Sequence, residues 1–552
     1  MTNQGRLTKG ISRRNVLKTS AAAGAFGLAG CVDGGGGGGG GSADFGTLGA
    51  NASTFDPAAS ADASSSSCID LMYEPLVGFD FDLNPQPVLA RDWERVDDTT
   101  FRFMLREGVQ FHNGDEMTAE DVQHSIERYQ GTVNTAVVAS WYDSSEILGD
   151  YEIQLNLSQP YAPFLADLSG VSIVPAGTTS PADGETPLDD ESQGTGPFQF
   201  DSWSQDDRFV ATKFDNYWWG DVNDAGDFSG EAPLDEVNLR VVVDPSAQFN
   251  AIQGGDVNAI NQVPPMDVPT VEDDGNLTLN RNDGITFDFL IYPVNSGPFQ
   301  NEKMRRGITR MIPRDDIVGD AVFNGTAVKG SSPYPPILGD PYWDEDFEQR
   351  LLDEYVGEDV DAATTLLDEA FSEEGIEAPY QTEIRTNENP VRQRWCEVIA
   401  NTLSETEYFE VSVNVMEWSS YVEFITGPAA ETSDMVALGW TASADPDSFV
   451  YQLFATDQFT PNGYNINHYS NEELDSLMQE GQTTFGADQR GPIYKDIAEI
   501  LAQDVPVTFL WHGKRLMATR DVISDFQVHP SASADYSGIY SPALGQEIEY
   551  DG

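Results

Sequence analysis

Between Thr100 and Tyr129 the chain changes its hydrophobic period within a single block, TFRFMLREGVQFHNGDEMTAEDVQHSIERY. Thr100–Arg106 alternates apolar and polar residues, the two-residue period of a half-buried strand. His112-Asn113-Gly114-Asp115 is turn chemistry. Thr118 then stands at a helix N-cap, with Asp121 three residues on as the acidic partner of a capping box. Val122, Ile126 and Tyr129 give that helix one apolar face.

The same exchange of periods runs through the chain. CIDLMYEPLVGFD (68–80) reads as a helix ending in a turn, and YEIQLNLSQPYAPFLADL (151–168) as strand then helix. A loop rich in Gly, Thr, Pro and Asp covers about 177–196, and GPFQFDSWSQDDRFVATKF (196–214) reads as a hairpin. VNLRVVVDP and ITFDFLIYPV are strands, with a helix between them, and 301–323 is helical with a break at Pro313. Farther on come a strand at 380–386, a helix at 392–405, strands at 411–418 and 434–440, helices near Glu472 and Arg490, and a strand at 506–512. Alternation of this kind predicts α/β layers, and there is no repeat of fixed period.

The first residues do not fit that pattern. Ser12–Cys31, SRRNVLKTSAAAGAFGLAGC, is basic, then small or apolar for only ten residues from Ala21 to Gly30. That is half of the about 20 residues a membrane-spanning helix needs. The layout is that of an export signal. Arg13-Arg14, with Val16-Leu17-Lys18 behind, resembles a twin-arginine signal, and Leu28-Ala29-Gly30-Cys31 resembles a lipobox whose cysteine receives a lipid. Gly34–Gly41 then reads as a flexible tether, because no Gly-Lys-Ser/Thr follows to make it a phosphate loop. Roughly 500 residues remain, too many for one simple core, so two or three domains are expected.

Charge narrows the function classes. Acidic residues number 92 against 29 basic ones, a net charge of −63 spread along the chain, which repels nucleic acid. Such a surface also repels itself and implies a fold that requires salt, of a halophilic type. Of three cysteines, Cys31 belongs to the lipobox; Cys68 and Cys396 are either a bridge or two buried thiols. His112, His124, His468, His512 and His529 show no metal-ligand spacing, so neither metal nor cofactor is expected. A secreted hydrolase is disfavoured, since neither a G-x-S-x-G elbow nor clustered zinc ligands are present.

Several segments, in order, carry a resemblance: FDPAAS with YEPLVGFD, FRFMLREGVQFHNGDEMTAEDVQHSIER, GTGPFQFDSW with NYWWG, MRRGITRMIPRDDIV, GWTASADPDSFVY, and INHYSNEELDSLM with VPVTFLWH. With these the chain resembles the extracytoplasmic solute-binding proteins of ABC importers, the peptide/nickel class known as family 5. The resemblance implies an α/β fold of the periplasmic-binding-protein-like type II: two lobes with a hinge plus an inserted domain, three domains in all. It implies a signal with lipobox at 1–31 and a tether at 32–43. Lobe I is then built from 44–78, 191–285 and 509–552, a small inserted domain from 79–190, and lobe II from 286–508. The implied function is capture of di- or oligopeptides between the lobes and delivery to permease subunits, by a monomer anchored to the outer face of the membrane. Oligosaccharide or a nickel chelate is the alternative ligand, and a sensor or chaperone that has lost transport is a further reading.

Candidate binding residues follow from the same resemblance. Peptide-binding members hold the peptide's amino terminus with an aspartate three residues after the tryptophan of the GWT segment. Here that position is Ser443, and Asp445 is the nearest substitute. Arg385 is the candidate for a peptide carboxylate, with Arg392 and Arg394 expected on a solvated helix face. Trp440, Trp418, Tyr421 and Tyr73 are candidate pocket walls or core residues, while Trp218-Trp219 are expected to be structural.

Overall fold

The computed structural model describes residues 44–551 except 185–186, 190, 222–227, 229 and 428–433. The export signal, Arg13, Arg14, Cys31 and the glycine tether lie outside the described residues.

The alternating block forms as read. In Thr100–Leu105 the residues Phe101, Phe103 and Leu105 point inward, and in Glu152–Leu157 so do Ile153, Leu155 and Leu157. The two strands pair antiparallel, Phe101 beside Leu155 and Phe103 beside Ile153. Ala90–Asp97 and Tyr142–Gly149 complete an antiparallel four-stranded sheet. The helix Ala119–Arg128 packs Val122 and Ile126 beneath it, fully buried. Its start is fixed by the Asp121 carboxylate, which accepts the Thr118 backbone N–H at 2.7 Å.

A second four-stranded sheet takes Gly46–Leu48, Glu236–Val241, Arg208–Lys213 and Phe198–Ser204 in that order; its first pair is parallel and the rest antiparallel. These two sheets share one core, which runs from Phe45 to Leu239 and includes C-terminal residues such as Met517, Tyr536 and Ile548. The largest sheet is mixed. Ala259–Ile260, Val507–Arg520, Leu277–Ile291, Met435–Thr441, Tyr380–Asn387 and Phe409–Met416 lie in that order, with Ala327–Lys329 beside Val507–Arg520. It encloses a second core between Ile285 and Trp511, covered by helices such as Glu302–Met311, Val360–Glu374 and Pro390–Ser404.

Val507–Arg520 serves both cores, with Trp511 in one and Met517 in the other; Leu277–Ile291 pairs along it, placing Ile285–Ile291 in the second core and Leu277 and Leu279 against a small separate cluster around Ile252 and Val271. Their pairing loses register between Asp283 and Phe287, at Gly284 and Gly513. The helix expected through 68–80 is Ala63–Met72 alone, and Val77–Phe79 is a strand. Pro75 is the reason, since a proline removes the helical N–H and disfavours helical backbone just before it. Cys68 and Cys396 are free buried thiols in different cores.

Candidate functional site

Three family-like segments meet at one carboxylate. Glu74, from YEPLVGFD, accepts hydrogen bonds from Thr195 Oγ1 (2.8 Å), Tyr217 OH (2.8 Å) and Trp218 Nε1 (2.7 Å). Burial still pushes its pKa up to about 7. The 194–196 turn approaches so closely that a Cβ on Gly194 would lie 2.0 Å from the Met72 carbonyl oxygen. His112 braces the same turn, its ring nitrogens 3.0 Å from Gly196 O and from Ser192 Oγ. Asp56, from FDPAAS, pairs with Arg128 at 2.8 Å, both side chains fully buried. Asn134 Nδ2 donates to Pro57 O and Ser60 O at 3.1 and 2.6 Å. These contacts hold the wall of a cavity.

That cavity, about 450 Å³, is lined from both cores. The helix Ala63–Met72 and the residue after it contribute Ser66, Ile69, Asp70 and Tyr73, at the i, i+3, i+4, i+7 spacing of one helix face. Tyr129, at the end of the helix Ala119–Arg128, and Val137 line it from beside the first sheet, His529 and Tyr540 from the C-terminal segment, and Ile285 with Ala442, Ser443 and Ala444 from the other core. A ligand held there would touch both cores at once. No lysine or arginine lines the cavity among the described residues. His529 is neutral as well, because burial drives its pKa down to about 4.

The expected site residues divide. Tyr73 and Ser443 both line the cavity. The Ser443 backbone N–H donates to Ser448 Oγ at 2.9 Å, which shapes the 442–444 loop. Asp445 does not line it. Its carboxylate meets the Arg490 guanidinium through two bonds, 2.6 and 2.8 Å, in the interior, and also accepts the Asp447 N–H at 2.9 Å. An aspartate already neutralised this way is a structural ion pair and has no free charge for a ligand ammonium. Arg385 is likewise engaged: it pairs with Asp434 at 2.8 Å and lies over the Phe424 ring at 5.0 Å. The strand Tyr380–Asn387 buries Thr382, Ile384 and Thr386, which puts Arg385 on its other face and outside the cavity lining.

The other aromatic candidates lie outside the cavity lining. Tyr421 is a core residue whose hydroxyl donates to Ala437 O at 2.6 Å. Trp418 opens the helix Trp418–Thr426 and is 53% exposed, away from the cavity. Trp440 is half-buried, donates Nε1–H to Ser448 O at 2.9 Å and meets Tyr464 edge-on; it supports the loop without lining the cavity. Arg392, expected in solvent, is mostly buried and pairs with Asp288 at 3.3 Å. Trp218 and Trp219 are buried structural residues.

Most of the cavity lining was missed, Asp70 included. The signal for Asp70 was present: a single acid in the otherwise apolar stretch from Cys68 to Tyr73. Among the described residues no group of three His, Cys, Asp or Glu side chains stands ready to hold a metal, and no helix is long and apolar enough to cross a membrane.

Comparison with known proteins agrees with this architecture. Residues 84–461 match the family described as bacterial extracellular solute-binding proteins, family 5. The oligopeptide-binding protein AppA of Bacillus subtilis is 27% identical over 500 residues, 86% of this chain and 87% of its own. The dipeptide-binding protein of Escherichia coli is 25% identical over 482 residues, 82% and 85% of the two chains. Among solved structures, AppA with a nonapeptide superposes with a TM-score of 0.72 at 24% identity, covering 92% of this chain and 98% of that one. NikZ of Campylobacter jejuni with Ni(L-His) gives 0.71 at 18%, covering 88% and 95%. These likenesses establish the α/β fold of the type II binding proteins. The family match covers most of the chain, its motifs converge on Glu74 and the cavity wall, and the chain belongs to the family 5 extracellular solute-binding proteins.

Proposed function

We propose that this protein is the solute-binding receptor of an ABC importer, that it captures a peptide in the 450 Å³ cavity, and that it delivers the peptide to permease subunits without chemical change. The observation that carries the reading is the cavity's double origin. Tyr73 and Tyr129 belong to one core and Ile285 to the other, so ligand contacts favour the arrangement in which the two meet. Lobe I from 44–78, 191–285 and 509–552, lobe II from 286–508 and the inserted 79–190 are the bodies proposed to move. The same reading has the monomer exported through Arg13-Arg14 and anchored outside the membrane by a lipid on Cys31.

The test is a thermal-shift screen of the purified protein with short peptides, oligosaccharides and nickel chelates. A ligand at about 100 times its Kd stabilises the folded state by about 2.7 kcal/mol. In a chain of this size that is a shift of about 2 °C. A peptide hit supports the reading. A hit confined to sugars or chelates keeps the receptor and replaces its ligand. Turnover of a peptide by metal-stripped protein would overturn it in favour of a hydrolase.

A further inference from the structure

The acids around the cavity are not equivalent. Glu74 has three donors, and Asp535 is paired with Arg515 and accepts from Asn261 at 3.0 Å. Asp70 receives no hydrogen bond or cation from any described residue. Its electrostatic neighbours are those two carboxylates, and both disfavour its charge. It also sits in the last turn of the helix Ala63–Met72, where the helix dipole presents its negative end. The side chain nevertheless keeps solvent access, through the cavity it lines. A carboxylate in this position is disfavoured by its like-charged neighbours, and an arriving positive group relieves that repulsion.

We propose that Asp70 anchors the ligand through a primary ammonium group, supplied by the amino end of a peptide, and that the site favours ligands bringing no free carboxylate into the cavity. The inference rests on the receptor reading and gives it a chemical class. Three features support it. The cavity lining holds no lysine or arginine, so a ligand carboxylate would find no partner there. Tyr73 and Tyr540 line the same space and supply ring surface for the carbon beside the ammonium. Ser443 brings a neutral hydroxyl to the opposite wall, and of the two acids lining the cavity among the described residues, Asp70 and Glu74, Glu74 already has three donors.

The experiment is isothermal titration calorimetry on the full protein with trialanine amide, N-acetyl-trialanine amide and putrescine. Trialanine amide is expected to bind, and acetylation to weaken it by about 30-fold, the worth of one charged hydrogen bond. Asp70→Asn should weaken trialanine amide to a similar degree and leave the acetylated form unchanged. The variant is expected to melt no lower than the parent, because it removes a charge that two neighbouring carboxylates disfavour. The acetylation comparison on the unaltered protein stands whether or not the variant folds. Binding of putrescine that depends on Asp70, without binding of the peptide amide, upholds the ammonium anchor and assigns it to a free amine. Equal binding of the free and acetylated peptides overturns the anchor and leaves the receptor intact, and failure of every probe overturns both.

Discussion

At the scale of single residues, charge alone does not mark a binding group; what matters is whether the charge is already answered. Asp445 and Arg385 bear the charges a peptide's two ends would seek, yet each is satisfied within the protein. Asp445→Ala strands Arg490 in the interior, and breaking a buried pair in this way costs about 3–5 kcal/mol. Its expected signature is a large loss in chemical denaturation. Arg385→Ala removes a partly solvated pair, costs about 1 kcal/mol or less, and should leave ligand affinity unchanged in calorimetry. A marked loss of affinity with R385A and intact folding would show that Arg385 reaches the ligand after all. Ser443 and Tyr73 sit in recognisable segments, and both line the cavity. The sequence did not separate Asp70 from Asp445. That difference depends on Arg490, forty-five residues downstream, and no local pattern reveals a partner so distant.

At the scale of elements, the period of apolar residues was a good guide wherever one face of a strand or helix is buried. Phe101, Phe103 and Leu105 alternate because their strand has one wet side, and Thr118 with Asp121 marks a true helix start. The guide failed at Met72, where the apolar run continues past the helix and only Pro75 ends it. Close approach between elements is also invisible in a period. The Gly194-Thr195-Gly196 turn touches the backbone at Met72, and Gly196 N–H donates to Met72 O at 3.0 Å. A methyl group at 194 would meet backbone that cannot rotate away. Gly194→Ala is therefore expected to destabilise the fold by about 3 kcal/mol, the upper range for overpacking. It should also displace the Thr195 hydroxyl from Glu74 and so loosen the cavity wall. The midpoint in urea reads the first effect; if G194A unfolds with its parent, the contact is softer than its geometry implies.

At the scale of the whole molecule, two sets of carboxyl groups oppose folding, and they respond to different conditions. The first set stands in or beside the interior: Glu74 and Asp447 are buried, Asp167 is partly buried and Asp70 opens onto the cavity, and each has a pKa raised to about 7, chiefly by desolvation. An acid whose folded pKa lies above its unfolded value holds more protons in the folded state between the two. Stability from this set is thus full below about pH 4 and falls as pH rises through about 7. The second set is the exposed excess behind a net charge of −63, whose mutual repulsion salt screens and burial does not alter. Melting curves at about pH 5 and about pH 8, each in about 0.1 M and about 3 M KCl, separate the two contributions. At low salt the protein should melt several degrees higher at the acidic pH, where both sets are partly neutralised. At high salt both temperatures should rise, because the surface repulsion is screened over a few ångströms. Part of the pH difference should nonetheless survive, since the desolvation of these four acids is beyond the reach of the salt. A pH difference that vanished at high salt would place the whole effect on the surface. A Tm indifferent to salt at both pH values would mean that the acidic surface is not what limits this fold.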